Sequence, residues 1–367
     1  RYRGAWPRGP ALEGSIAVHL EPFELHRPTD VDGAVRMARD LPGGADYFAG
    51  GTDLLPNYKM HLNTKPHLIA LDGIPEMRGR STARIGAMER LEDLAGDGPI
   101  GARWPAVREA AGMVATPLVR ASATLGGNLM VETRCFFFNQ SHFWRHSLGY
   151  CLKAEGDRCH VVPQKARCYA TFSGDLAPAL MVHDAEVEIA GADGRRRGKL
   201  TEMYDSGGDG IRRHHVAAGE LVVAVHLPEA APAEWSSYQK LRVRPSFDFP
   251  ELGVAVSARW DGGRLERLRI AAGGLETYPR RFDELTEPLE GTRPGSAEFR
   301  SLANLVMAAV RPVHNTSLAP DYRKKMTGVY VRRLLEAASA SARRAPGPND
   351  AAVVAPALRA VEEPLAR

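Results

Sequence analysis

The sequence predicts an α+β protein built from packed domains. Three observations carry that expectation. In the first half, short apolar strands run into glycine pairs, with helix-like segments between them. In the last third, two alternating strands around a glycine turn precede two helix-like segments, the order of an α+β unit. Between these parts, residues 131–174 keep neither the period of a strand nor that of a helix. The 367 residues suffice for two or three domains, and 44% hydrophobic with 25% charged residues is an ordinary globular composition.

The elements follow in order. Thr29-Asp30-Val31-Asp32 reads as an N-cap with acidic first-turn residues, opening a helix to about Asp40. Residues 46–49 form a short strand that runs into Gly50-Gly51-Thr52-Asp53. Residues 67–74 and 83–88 are further strands. Residues 104–113 read as a helix, and 118–124 lead into a second glycine turn, Gly126-Gly127-Asn128. Residues 176–189, 215–227 and 234–243 read as mainly extended. Residues 251–260 and 265–272 alternate around Asp261-Gly262-Gly263, a hairpin signal. Residues 297–310 and 321–338 are helix-like.

Some function classes are excluded by composition. No stretch approaches the roughly 20 apolar residues that a bilayer demands, so no membrane partner is expected. The net charge of +4 is small, and basic clusters such as Arg195–Arg197 read as solvated loop charge, so no nucleic acid is expected. Residues 1–20 lack the continuous apolar run of a secretory signal and read as a flexible extension. Residues 339–367, rich in Ala, Pro and Arg, read as a helix end and a flexible tail. A cytoplasmic location follows as the expectation, with cysteines kept reduced.

Two motifs suggest phosphate binding. In Phe48-Ala49-Gly50-Gly51-Thr52-Asp53-Leu54 a glycine pair after a strand lets backbone approach a ligand, and its N–H groups can form a nest for a pyrophosphate. Thr124, Gly126, Gly127 and Asn128 repeat that chemistry. Gly96-Asp97-Gly98-Pro99-Ile100-Gly101 fits G-x-G-x-x-G literally, but Asp97 repels phosphate and Pro99 lacks a donor, so it reads as a surface turn.

All four cysteines lie in the aperiodic stretch, spaced C-x15-C-x7-C-x8-C: Cys135, Cys151, Cys159 and Cys168. No pair has the close spacing of a zinc ribbon. Four thiolates can hold a four-iron, four-sulfur cluster. Phe136, Phe137, Phe138, Phe143, Trp144 and Tyr150 would exclude water, and Arg134, Arg145 and Lys153 would offset cluster charge. Spacing alone leaves cluster, zinc and plain structural cysteines open, and His142, His146 and His160 keep a mixed ligand set open.

The two glycine motifs resemble the FAD-diphosphate loops of molybdenum hydroxylase flavoprotein subunits, the medium subunits of xanthine and carbon monoxide dehydrogenases. Gly174-Asp175-Leu176-Ala177-Pro178-Ala179-Leu180 is similar to the family's next stretch. The resemblance implies that Asp175 contacts the adenosine part of FAD and that Lys240, followed by Arg242, lies near the flavin. One branch, the β subunits of 4-hydroxybenzoyl-CoA reductases, carries an insertion that binds an extra 4Fe-4S cluster. Arg134-Cys135, Phe143-Trp144-Arg145, Cys151-Leu152-Lys153, Cys159-His160-Val161 and Arg167-Cys168-Tyr169-Ala170 resemble that insertion, with all four cysteine positions filled.

The resemblance implies an FAD-binding type 2 fold (vanillyl-alcohol-oxidase or PCMH-like) over residues 21–230, interrupted by the insertion at 131–174. A C-terminal α+β domain of the CO dehydrogenase flavoprotein type follows over 231–338. It further implies a dimer of heterotrimers with a molybdenum-cofactor large subunit and a 2Fe-2S small subunit. Electrons would pass from ferredoxin through the 4Fe-4S cluster and FAD to those partners, for reductive dehydroxylation of an aryl-CoA; no catalytic residue is expected on this chain. Three alternatives stand beside this: a hydroxylase-type flavoprotein subunit with electrons running outward, a stand-alone flavin oxidase, and a zinc-stabilised interaction module.

Overall fold

The computed structural model describes residues 20–228 and 234–344. Residues 1–19 and 345–367, expected to be flexible, and the expected domain junction at 230/231 lie outside the described residues.

Three sheets organise the chain. The first is parallel, with Glu24–His26, His67–Ala70 and Ala45–Phe48 in that spatial order. The second is antiparallel, in the order Arg84–Gly86, Leu221–His226, Glu186–Gly191, Gly194–Lys199. One apolar core unites both sheets with the helices Val31–Asp40 and Pro105–Met113, through residues such as Val31, Ile69, Ile85, Trp104, Leu125, Leu180 and Val223. The third sheet, Arg280–Arg281, Arg264–Gly273, Leu252–Asp261 and Trp235–Leu241, is antiparallel. Helices Ser296–Ala309 and Pro320–Arg344 cover it, burying Phe299, Leu302, Val306, Val331 and Leu335 in a second core.

Local chemistry explains most of these boundaries. Asp30 caps the first helix by accepting the Gly33 N–H at 2.6 Å. Gly262 and Gly263 both take positive φ, +50° and +79°, as a two-residue hairpin turn with the twist of its flanking strands requires.

Outside the glycine motifs, the structure departs from the sequence expectation in several elements. Residues 176–181 form a helix, not a strand; all six are buried, so no polar face marked the period. Arg195–Arg197 lie on the edge strand Gly194–Lys199 rather than a loop, paired with Glu188 and Glu76, Glu220, and Glu186. Such charges suit an edge, where they discourage further strand pairing. The last helix continues to Arg344, into the expected tail. Gly96–Gly101 is a junction of two short helices: Asp97 caps Ile100 N at 2.8 Å and pairs with Arg80 at 2.7 Å. No described helix is long and apolar enough to cross a membrane.

Candidate functional site: two glycine loops and a cysteine cavity

The strand Ala45–Phe48 delivers the first glycine motif to the edge of the larger core. A side chain at Gly50 would collide with the Ser122 carbonyl, so the backbones of the two motifs touch here. Gly51 has φ +69°, a left-handed value, and a Cβ there would sit 2.6 Å from the Phe48 ring. The backbone N–H groups of Gly50, Gly51, Thr52 and Asp53 donate to no described residue. Thr52 is exposed beside them. Consecutive free N–H groups around a left-handed glycine form an anion nest, as a diphosphate requires.

The second motif is built differently. The expected turn is the short helix Leu125–Leu129, with Thr124 as its N-cap. Thr124 Oγ1 accepts the Gly127 N–H at 3.1 Å, and the N–H groups of Leu125, Gly126 and Asn128 donate to Glu89, Ala87 and Thr124 carbonyls. Its donors are therefore engaged within the protein. Asn128 Oδ1 accepts the Leu176 N–H at 2.9 Å, tying the motif to the next helix. Gly126 packs against Ala87, whereas Gly127 is exposed and a Cβ there would meet only Thr124 Oγ1, at 3.1 Å.

Asp175 and Lys240 are brought together in the interior. Lys240 Nζ donates to Asp175 Oδ2 at 3.1 Å and to the Met113 and Asp248 carbonyls, both at 3.0 Å. Tyr238 Oη donates to Asp175 Oδ1 at 2.7 Å. All three N–H donors of the ammonium are used, so Lys240 holds the two domains together rather than presenting a free charge. Burial pushes the Asp175 carboxyl upward, opposed by the adjacent Lys240.

The cysteine stretch leaves and re-enters the domain at an antiparallel bridge between Arg134 and Thr171. Within it lies one short α-helix, His142–Ser147, capped by Ser141. Cys135, Cys151, Cys159 and Cys168 are all buried and line one cavity with Phe137, Phe138, Leu152 and Val161. Burial pushes the Cys135 thiol up to about 12 and the Cys168 thiol up to about 11, so a bound cation must displace those protons. No three of the sulfurs lie mutually within 4.8 Å. A tetrahedral zinc with bonds of about 2.3 Å holds its sulfurs roughly 3.8 Å apart. A cubane spreads its irons over separate corners and separates its thiolates further. By residue type the four thiols fit a cluster, and no trio of them is gathered as closely as a zinc ion in place would hold it.

The surrounding residues answer the expectation in part: Phe137 and Phe138 line the cavity, and the charges of Lys153 and Arg145 act on Cys168 and Cys151. Phe138 is buried beside the thiols, but Phe143 is 81% exposed and shields nothing. Lys153 pairs with Glu132 at 2.5 Å and donates to Gly210 O at 3.0 Å; Arg213 holds Glu132 from the other side at 3.0 Å. Arg145 donates to the Met60 and His61 carbonyls at 2.9 and 3.1 Å. These cations anchor the stretch to its host. His160 lines the same cavity, with its Nε2 2.7 Å from the Tyr150 carbonyl, but among the described residues no histidine lies mutually within 4.8 Å of two sulfurs.

Two contributors, Asn315 and Tyr238, escaped the sequence reading, and Arg134 has a partner that the sequence did not indicate. Arg134, next to Cys135, pairs with Asp53 of the first glycine motif and lies over the Phe249 ring at 4.3 Å. The nest and the cysteine cavity are thus joined by one ion pair. Asn315, between the last two helices, accepts Phe136 N at 3.1 Å with its carbonyl, and its side chain bonds Thr171 and Tyr169. Tyr238 was passed over because nothing local marks a tyrosine whose partner is 63 residues away.

Comparison with known proteins is consistent with this geometry. Residues 21–230 match the FAD binding domain in molybdopterin dehydrogenase. The chain belongs to this family of FAD-binding subunits of molybdenum hydroxylases. Residues 236–338 of the flavoprotein subunit match the CO dehydrogenase flavoprotein C-terminal domain. It is 32% identical over 278 residues to the aldehyde oxidoreductase FAD-binding subunit of Escherichia coli (strain K12), covering 72% of this chain and 85% of that one. It is 28% identical to the carbon monoxide dehydrogenase medium chain of Hydrogenophaga pseudoflava, covering 86% and 96%. The solved carbon monoxide dehydrogenase of that organism, lacking the Mo-pyranopterin moiety, superposes with a TM-score of 0.72 at 25% identity, over 88% of this chain and 99% of that one. The fold class expected from the sequence is therefore the one found.

Proposed function

We propose that this flavoprotein subunit serves a molybdenum-dependent reductase of the 4-hydroxybenzoyl-CoA type, and that Cys135, Cys151, Cys159 and Cys168 hold a 4Fe-4S cluster. The observation that carries the reading is the convergence of four buried thiols on one cavity, no three of them mutually within 4.8 Å. When bound, FAD supplies an exchange between two-electron and one-electron steps, and the cluster supplies one-electron steps. The chain's own residues do the holding. The free N–H groups at Gly50, Gly51, Thr52 and Asp53 cradle the diphosphate. Phe137, Phe138 and Leu152 wall the thiols from water. The Asp53–Arg134 pair fixes one site relative to the other.

The reading extends to partners. A molybdenum-cofactor large subunit and a 2Fe-2S small subunit complete the enzyme, ferredoxin exchanges electrons with it, and the complex is a cytoplasmic dimer of heterotrimers acting on an aryl-CoA. Residues 21–230 form the FAD-binding domain with the insertion at 131–174, and 231–338 the C-terminal domain. A second reading, the flavoprotein subunit of a molybdenum hydroxylase running electrons outward, is favoured by the relatives' own names, which are of an aldehyde oxidoreductase and of dehydrogenases.

The test is Cys151→Ser in the native complex, with iron, zinc and flavin measured and the reduced protein examined by electron paramagnetic resonance. Loss of the cluster signal with flavin retained is expected, together with loss of ferredoxin-linked but not artificial-donor activity. An unchanged signal excludes Cys151 as a ligand, and zinc in place of iron in the wild type overturns the cluster. Turnover of aryl-CoA thioesters separates the reductase from the hydroxylase.

A further inference from the structure

The first sheet carries a constellation that neither glycine motif nor cysteine uses. Strands Glu24–His26 and His67–Ala70 run parallel, with Glu24 in register with His67. The two-residue period of a strand puts Glu24 and His26 on one face. His26 Nε2 and His67 Nδ1 lie 3.1 Å apart. Glu24 Oε2 is 3.6 Å from His67 Nδ1, and Glu24 Oε1 is 3.9 Å from His26 Nε2. The three ligand atoms lie within 4.8 Å of one another.

We propose that Glu24, His26 and His67 bind a divalent transition-metal ion, with Zn²⁺ as the representative cation. Zinc bonds of about 2.0–2.1 Å in a tetrahedron set ligand atoms roughly 3.3 Å apart. The imidazole nitrogens already meet that spacing. The carboxylate is slightly too distant, but its side chain is 68% exposed and free to swing inward, whereas the imidazoles are only 17% and 13% exposed. Two ring nitrogens facing each other need a proton between them; a cation accepts both lone pairs instead. Apart from each other, the three side chains have no described polar partner. Two imidazoles and a carboxylate without sulfur suit Zn²⁺, Ni²⁺ or Cu²⁺, and they leave a fourth position for water. The ion would clamp the edge strand Glu24–His26 to the central strand His67–Ala70, which also pairs with Ala45–Phe48, the strand leading to Gly50.

The experiment uses the native complex with its flavin and iron in place, so that the cysteines do not compete. Zn²⁺ is titrated against a chromophoric chelator, and Co²⁺ is used as a spectroscopic probe. The expected result is one saturable site beyond the iron content, with visible cobalt bands and no thiolate charge-transfer band. His26→Gln and His67→Gln should each weaken binding about tenfold or more, since loss of an outer-shell partner alone costs that much. Glu24→Gln should weaken it less. Zn²⁺ should raise the melting temperature of the wild type and of neither histidine variant. A thiolate band, absence of a saturable site, or unchanged affinity in either histidine variant overturns the proposal. Should His67→Gln fail to fold, the edge-strand variant His26→Gln decides it alone.

Discussion

Gly50-Gly51 abuts the chain that leads into Gly126-Gly127, at the Ser122 carbonyl, yet the N–H groups of the two glycine pairs are used in opposite ways. The first loop is left-handed at Gly51 and leaves its donors without described partners. The second loop closes on itself as a capped helical turn, every donor from Leu125 to Asn128 engaged. Two similar strings of residues thus perform complementary work. One presents an anion nest; the segment leading into the other braces it at Gly50. The division follows from what precedes each glycine pair. A strand end frees the backbone of the first, and an N-cap threonine starts a helix at the second.

The comparison is most severely tested at Gly50. Gly50→Val forces the two loops apart, and flavin content should fall almost to zero, read from absorbance of the purified complex. Retained flavin would show that contact between the loops is dispensable. Gly51→Ala comes next. A left-handed L-residue costs about 1–2 kcal/mol, and the Phe48 ring must also move, so denaturant unfolding should shift by at least that much and FAD should dissociate faster. Thr124→Val removes the helix cap of the second loop and should cost about 1 kcal/mol of stability. Gly127→Ala should have the smallest effect on stability, within about 1 kcal/mol of wild type, because alanine favours helix and only Thr124 Oγ1 is near. Its FAD affinity should nevertheless drop about tenfold if Gly127 borders the ligand. Unchanged affinity would reduce the second loop to a brace alone.

The legibility of the molecule in its sequence varied with the range of the interactions. The capped helix at Asp30, the glycine hairpin at Gly262-Gly263 and the helices over the third sheet rest on local chemistry and were readable. So were the left-handed turn at Gly51 and the grouping of the cysteines, whereas the second glycine motif, expected as a turn with free donors, is a closed helical turn. Residues 176–181 were misread because complete burial erases amphipathic period. The edge strand Gly194–Lys199 was hidden by its arginines, whose partners are brought by distant segments. Arg145 and Lys153 were rightly singled out, since their charges act on Cys151 and Cys168, but their anchoring partners and the pairing of Arg134 were not foreseen. The partners Asp53, Met60 and Glu132 are a matter of tertiary geometry, which spacing does not encode.

The bridge between Arg134 and Thr171 bears on what sets the length of the cysteine-bearing stretch. These residues exchange both backbone hydrogen bonds, at 2.8 and 2.7 Å, so the cysteine-bearing excursion starts and finishes at a single point of the host. An excursion with coincident ends can lengthen, shorten or vanish without displacing either flank, and the entropic cost of closing it grows only slowly with length. The length of the cysteine-bearing stretch is therefore set by its own contacts rather than by the spacing of the segments that flank it.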